Sequence, residues 1–414
     1  MDKNTWNFYH DEAFHDRKIK VKDNKINIFA ENSSDIYVSA FWGNESNKSE
    51  VFLDNFTQFE EKYRRKYGLN DAQELKGSIY RKKNFTYGIR SFNKDCSDFY
   101  NDYFDLFDDD VVLCISMLSK TAFMMSKIIK NIVPNDFQFN LHSFTYSITK
   151  FLYNYRYNEL MLKFFNNDSK ENSTDLINHL IKLLSEVIKK NIGVPRKEIE
   201  NSSLGDVKYI LEHSKFKVVT TSQYLWDYSD VFRNFNLLLE ERDIPQEEVH
   251  IILDREEKTY ISAIEEGNYL SVKEDDSISN RGIRVADIMS NFIGRMLVAL
   301  EDDLREDEIT DLKQISNTDY SKKKLLNPNW FNVDERRFKL YRKINNFFIN
   351  MMKMYGWTTH GYLYFDYSTI LFALFQYYSG FDAFEEFKYI KPEEHIERFN
   401  AYSCEMLKER FKEL

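Results

Sequence analysis

The sequence predicts an α/β fold, a mixed β-sheet covered by helices, and three observations carry that reading. Period-two alternation fills much of the first 45 residues. Two short apolar runs, Val111-Val112-Leu113-Cys114-Ile115 and Ile251-Ile252-Leu253, interrupt long stretches of helical spacing. Glycine and proline are scarce, at 12 and 5 in 414 residues, which argues against a turn-rich all-β sandwich and against long disordered linkers.

In chain order, Trp6, Phe8 and Tyr9 suit a strand that stops at Asp11. Lys18-Ile19-Lys20-Val21-Lys22 alternates, Asp23-Asn24 turns, and Lys25-Ile26-Asn27-Ile28-Phe29 alternates again, a hairpin pattern. Asp35-Ile36-Tyr37-Val38-Ser39-Ala40-Phe41 is the next strand, which completes a three-stranded antiparallel start. Residues 50–67 place Val51, Phe52, Phe56, Phe59 and Tyr63 on one side of a helix. A helix near 95–107 precedes the 111–115 strand. Helical spacing then dominates 118–192, including 139–165 and 175–190, which predicts a helical insertion over 119–214. Phe216-Lys217-Val218-Val219-Thr220 returns to strand, 223–243 to helix and 249–253 to strand, and an apolar helix follows near residue 290. Residues 301–330 are charged and turn-rich and read as a linker, with helix from Asp334 onward. The expected organisation is a core of 1–118 and 215–300, the insertion, and a linker with a helical region over 301–414. No internal repeat of 20–50 residues is present.

Composition bounds the function. The start, Met1-Asp2-Lys3-Asn4, lacks a signal-peptide pattern, and polar residues break the apolar runs at 111–132 and 362–378, so a soluble cytoplasmic protein with no membrane partner is expected. Cys96, Cys114 and Cys404 form neither a metal-ligand pair nor a disulfide framework. The histidines, among them His10, His15 and His360, show no zinc spacing. No phosphate-cradling Gly-rich loop and no Ser or Cys nucleophile motif occurs. A net charge of −10 weighs against coating nucleic acid by overall field. Local basic clusters with aromatics survive: Lys62-Tyr63-Arg64-Arg65-Lys66-Tyr67, Tyr80-Arg81-Lys82-Lys83, and the stretch from Arg336 to Lys343. Arg64, Arg65, Arg81 and Lys82 are therefore candidate phosphate contacts, and equally candidates for the solvated face of a helix.

Four acids sit at the ends or openings of expected core elements: Asp11, Glu74, Asp254 and Asp287. Carboxylates there are costly to desolvate unless a cation meets them, and converging carboxylates are usually met by a divalent metal. On the helix near 290, apolar residues cover most of the circumference and leave a narrow sector of Arg284, Asp287, Asn291 and Arg295, facing solvent or a polar cleft. Singly, each acid also reads as a cap, a turn former or half of a surface pair.

Tyr9-His10-Asp11-Glu12-Ala13, Glu74-Leu75-Lys76-Gly77-Ser78, Ile251-Ile252-Leu253-Asp254 and Ala286-Asp287 together resemble the motifs of the bacterial and archaeal domain-of-unknown-function family 3800, whose members are similar to the RNase H-like superfamily. The resemblance covers residues 5–300 in outline. Phe14 stands where a Gly commonly follows the opening motif, and Ile283 where a Gln often precedes the closing one. The resemblance implies an RNase H-like mixed sheet with Asp11 on its central first strand. It also implies Asp11, Glu74, Asp254 and Asp287 as ligands of Mg²⁺ or Mn²⁺, with two metals about 4 Å apart hydrolysing a phosphodiester. Lys76 would orient a phosphate or the attacking water, and Arg284 and Arg295 would stabilise transition-state charge.

The leading expectation is thus a metal-dependent nuclease acting on DNA or RNA, in an antiviral or mobile-element defence setting at the level of the family. The alternative is a catalytically inactive scaffold on the same fold that binds a protein or nucleic-acid partner, or forms a homo-oligomer, through its helical regions.

Overall fold

The computed structural model describes residues 5–14, 20–22, 24–29, 34–70, 73–129, 131–135, 138–165, 170–217, 228–305, 309, 311–354 and 366–412. Several expected features lie wholly or partly outside these residues: the first four residues, His15, Lys18-Ile19, the turn position Asp23, Val218-Val219-Thr220, the start of the following helix, His360, and the beginning of the 362–378 run.

The chain opens with β1 (Trp6–Ala13), a ribbon of β2 (Val21–Lys22) and β3 (Lys25–Ile26), then β4 (Ile36–Glu45) and α1 (Ser46–Tyr67). Next come β5 (Thr86–Ile89), α2 (Lys94–Phe104) and β6 (Val112–Ser119). A mostly helical stretch follows: α3 (Lys120–Ile129), β7 (Ile132–Pro134), α4 (Leu141–Asn154), α5 (Asn158–Phe165), α6 (Lys170–Asn191), α7 (Glu198–Glu212) and β8 (Ser214–Phe216). The chain then returns to the sheet through α8 (Ser229–Glu241), β9 (Val249–Asp254), α9 (Glu257–Glu266), β10 (Ser271–Asp275) and α10 (Arg281–Leu304). Helices α11 (Leu312–Asn317), α12 (Glu335–Met354), α13 (Asp366–Ser379), α14 (Phe384–Tyr389) and α15 (Pro392–Lys412) complete it.

Five strands form one mixed sheet in the order β10-β9-β1-β4-β6. β10, β9 and β1 are mutually parallel, whereas β4 runs antiparallel to both β1 and β6. Alternation along β1 sends Phe8, His10 and Glu12 to one face and Tyr9, Asp11 and Ala13 to the other. The first face packs on α8, where the rings of Phe8, His10 and Phe41 meet Phe232 and Phe235. The second face carries α10, tied down by the Trp42 Nε1–H donating to Gly282 O at 2.7 Å and the Tyr103 hydroxyl donating to Val285 O at 2.8 Å. β4 is buried along nearly its whole length and β6 throughout, as central and covered strands must be. Among the described residues, no helix is long and apolar enough to cross a membrane.

Several expectations change. The antiparallel trio is β1, β4 and β6, and the lysine-rich hairpin is a separate ribbon whose Ile26 and Ile28 are buried. Lysine at every second position cannot line a sheet covered on both faces. β1 runs two residues past Asp11, to Ala13. Val51 is exposed, and the buried stripe of α1 includes Phe52, Phe56, Phe59, Glu60 and Tyr63. β10, an edge strand of sequence Ser-Val-Lys-Glu-Asp, carries no apolar alternation by which to recognise it. The stretch read as a linker begins inside α10 at buried Glu301 and contains buried Trp330. The described part of the stretch 119–214 is mostly helical, and its β7 pairs antiparallel with β8 at residues 214–216.

Candidate functional site

The sheet register sets two of the four acids side by side. His10 pairs with Leu253 across β1 and β9, so Asp11 and Asp254 follow as the next residues of neighbouring parallel strands, about 4.8 Å apart. Both belong to the face that carries α10. Along β9 that face is only half covered, since His250, Ile252 and Asp254 alternate with fully buried Val249, Ile251 and Leu253. The sheet face is therefore only partly covered beside α10 at the carboxyl ends of the parallel strands.

Two glycines fix how α10 lies on β1. A Cβ on Gly282 would sit 2.1 Å from the Tyr9 ring, and one on Gly294 would sit 2.5 Å from the Phe14 ring. The five residues from Tyr9 to Phe14 span roughly 17 Å of strand, and the twelve from Gly282 to Gly294 roughly 18 Å of helix. Strand and helix thus run alongside one another in the same sense. Asp11, about 7 Å beyond Tyr9, falls level with Ala286 and Asp287. The third acid joins the first two without any sequence proximity.

The fourth arrives on a loop. Gly77 N–H donates to Asp287 Oδ2 at 2.6 Å, and a Cβ on Gly77 would strike Asn291 Cβ at 2.5 Å, so this segment lies flat on α10. Glu74, in the same segment, accepts from Ser277 Oγ at 3.1 Å and pairs with Lys76 Nζ at 2.8 Å. Asn291 Nδ2 donates to Asp287 Oδ1 at 2.9 Å, so both Asp287 oxygens have partners. Asp11 Oδ1 accepts from Glu12 N–H at 2.7 Å, and Asp254 Oδ1 from Arg255 N–H at 3.0 Å.

The electrostatics follow from this crowding. Burial pushes the Asp11 carboxyl well above its usual range, and the nearby Asp287, Glu12 and Asp254 charges push it further. Asp287 is raised to about 6, chiefly by burial and also by Glu74 and Asp254, against the pull of the Gly77 N–H and of Lys76. Burial alone would lower Lys76, but its hydrogen bond to Glu74 and the charges of Glu74, Asp287 and Asp11 hold its ammonium above the ordinary value. Lys76 is thus a cation within electrostatic reach of Glu74, Asp287 and Asp11. His10 stays apart: burial drives its pKa down to about 3, and its Nε2 lies 2.9 Å from Ser39 Oγ on the opposite sheet face.

The donor set is hard oxygen throughout, which suits Mg²⁺ or Mn²⁺. Among the described residues, however, no group of three or more His, Cys, Asp or Glu side chains stands at metal-ligand spacing as placed. The partners that Glu74 and Asp287 hold give a physical reason, because each carboxylate is turned toward its own hydrogen bonds.

The basic candidates disperse. Arg284, expected in a polar cleft, is 7% exposed and bidentate to Glu60 of α1, at 2.6 Å through Nε and 2.7 Å through Nη2. Its Nη1 donates to Ser277 O and Ile278 O, so this guanidinium braces α10 against α1 and has little left to offer a phosphate. Arg64 braces the turn after α1 by donating to Asn70 O at 2.7 Å, and exposed Arg65 pairs with Glu61. Exposed Arg81 and Lys82 follow the Gly77 segment toward the far end of α10, where Lys82 pairs with Asp302 at 2.8 Å. Arg295 stays on the site's side of α10, one turn past Asn291 and beside the Phe14 ring.

Gly77, Ser277 and Asn291 were not foreseen as site residues. Asn291 left a trace in the sequence as a member of the polar sector of α10, and Gly77 as part of the Glu74-Leu75-Lys76-Gly77-Ser78 motif, whereas Ser277 left none. Among known proteins no family model matches the chain, and neither a curated protein nor a solved structure is similar to it.

Proposed function

We propose that this chain is a metal-dependent nuclease built on an RNase H-like core. The observation that carries the reading is the levelling of Asp11, Asp254 and Asp287 on one sheet face, with Glu74 and Lys76 delivered to them by the Gly77–Asp287 hydrogen bond. The strand order supports the fold assignment, because Asp11 lies on a central first strand with an antiparallel neighbour, β4, on one side and a parallel one, β9, on the other.

Asp11, Asp254, Asp287 and Glu74 would hold Mg²⁺ or Mn²⁺, which lowers the pKa of a bound water and neutralises charge on the leaving oxygen. The chain's own residues do the rest. Gly77 and Asn291 fix the Asp287 carboxylate, so it keeps one orientation. Lys76, 44% exposed, reaches a phosphate oxygen while still neutralising Glu74. Crowded carboxylates raised by burial are strained when alone and relieved by added positive charge, which favours cation uptake at this place.

Incubating the purified protein with Mn²⁺ and a panel of single- and double-stranded DNA and RNA tests the reading. Cleavage that requires the divalent ion and disappears in Asp11→Asn is expected. Inert substrates throughout the panel, together with a protein that binds no Mg²⁺ or Mn²⁺, would leave only the scaffold reading.

A further inference from the structure

Phe14 and Arg295 form a second feature on the same side of α10. Phe14 has φ +62°, the left-handed region in which a bulky side chain is strained by an amount on the order of 1 kcal/mol. Its ring rests on Gly294, the one kind of residue whose lack of Cβ leaves room for it there. The neighbouring Arg295 guanidinium stands 6.0 Å from the ring centroid. Among the described residues Arg295 makes no hydrogen bond or ion pair, and its Nε is shut off from solvent and unpaired. The buried hydroxyl of Tyr100, within electrostatic reach of Arg295, is unpaired as well. Asp287 is within electrostatic reach of Arg295 but spends its oxygens on Gly77 N–H and Asn291 Nδ2, so the guanidinium keeps its donors for an anion from outside.

Position gives the anion its identity. Arg295 lies eight residues beyond Asp287 on α10, about 12 Å along the helix axis. Phe14 is three residues beyond Asp11, at the same level. Exposed Arg81 and Lys82 continue in the same direction beside the C-terminal end of α10. An aromatic ring interleaved with cations along one side of a helix is an arrangement that can hold an unstacked base and its phosphates.

We infer that Phe14 and Arg295 are a substrate subsite for single-stranded nucleic acid, with Phe14 stacking on a base and Arg295 holding a phosphate of the same strand as it leaves the acidic row. This rests on the nuclease reading and adds to it the strandedness of the substrate and the direction of its path. A paired base cannot offer its face to Phe14, so duplex is disfavoured.

Fluorescence anisotropy of labelled oligo-dT, oligo-U and a blunt duplex, titrated with the full chain in EDTA, tests the inference without turnover. The wild type should bind a single strand more tightly than duplex, with the two single-strand arms telling DNA from RNA. Phe14→Leu should weaken single-strand binding roughly fivefold or more, while Phe14→Trp should retain it. Arg295→Met should weaken it severalfold and lower the salt slope by about one. Thermal melts establish that each variant is folded, and Phe14→Gly, which removes the left-handed strain, supplies a second folded variant without the ring. Cleavage in Mn²⁺ is scored separately. A wild type that cleaves, with Phe14 and Arg295 variants that bind as it does, overturns the subsite and leaves the nuclease reading intact. A wild type that binds no strand and cleaves none overturns both.

Discussion

The Gly77 N–H donates to the Asp287 carboxylate at 2.6 Å, across 210 positions of sequence. That bond lays the Glu74–Lys76 segment on α10 and joins a loop residue, a helix and the ends of two parallel strands into one polar group. It works because Gly77 has no side chain: an added Cβ would meet Asn291 Cβ at 2.5 Å and the backbone oxygen of Asp287 at 2.9 Å. Gly77→Ala should therefore lift the segment off the helix. The expected result is a loss of about 1–3 kcal/mol in denaturant melts and a drop of more than tenfold in Mn²⁺-dependent cleavage. Unchanged stability and activity would show that the segment is not seated as described.

Arg284 and Glu60 offer a contrasting test, because their role is structural. Both are buried, with side chains 8% and 6% exposed, and the pair is bidentate. Arg284→Met leaves the Glu60 charge buried without its partner and should cost about 3–5 kcal/mol. The double variant Arg284→Met with Glu60→Leu should recover most of that loss, since replacing a whole buried pair by apolar groups is often nearly neutral. Binding of single-stranded oligonucleotide should be the same in the double variant and the wild type. Weaker binding there would return Arg284 to the substrate.

The sequence made part of this site legible. Asp254 could be singled out because a short apolar strand that ends in an acid is a local pattern, and Asp11 because an acidic pair follows the apolar start of β1. The polar sector of α10 likewise isolated Asp287 and Asn291 by helical spacing alone. Their adjacency was not legible, since it depends on which strands pair, and β9 pairs with β1 across more than half of the chain. Gly77 stood in the Glu74-Leu75-Lys76-Gly77-Ser78 motif, but its backbone bond to Asp287 is a tertiary contact that the motif does not announce. Arg284 was misread because its acid partner, Glu60, lies on a helix whose packing against α10 is a tertiary fact. β10 was missed because an exposed edge strand needs no apolar face, and the lysine-rich hairpin was placed in the sheet because alternation reports a strand without naming its sheet.

A second acidic group, Asp35 with Glu301 near the C-terminal end of α10, makes stability depend on pH. Asp35 is buried and accepts from Ser119 Oγ, from Thr121 N–H at 2.7 Å and from Thr121 Oγ1 at 2.6 Å. Burial first, and Glu301 second, raise its carboxyl from 3.8 to about 6 despite those bonds. Between these two values the folded state holds a proton that the unfolded state has lost. The stability contributed is fully present below about 4 and is lost as pH rises through about 6. Asp35→Asn mimics the protonated form, so the wild type should lose stability relative to this variant by about 3 kcal/mol between pH 4 and pH 7.5. Urea melts of both proteins across that range measure it. A difference that stays flat with pH would show that Asp35 is not the group responsible.

Neutralising the site acids separates a metal centre from a set of structural aspartates. Asp11 is strained by burial and by the charges of Asp287, Glu12 and Asp254, while its bond from Glu12 N–H survives in an asparagine, whose oxygen still accepts. Asp11→Asn should therefore melt at or above the wild-type temperature. Asp287→Asn relieves similar strain but must turn its new amide toward one of two existing donors, Gly77 N–H or Asn291 Nδ2, so it should stay within about 1 kcal/mol of the wild type. The wild type should gain melting temperature as Mg²⁺ or Mn²⁺ is added, and both variants should lose that gain, because only a protein with a cation site is stabilised by mass action. An Asp11→Asn protein that melts well below the wild type, beside a wild type indifferent to either metal, would make Asp11 a structural cap and withdraw the nuclease reading.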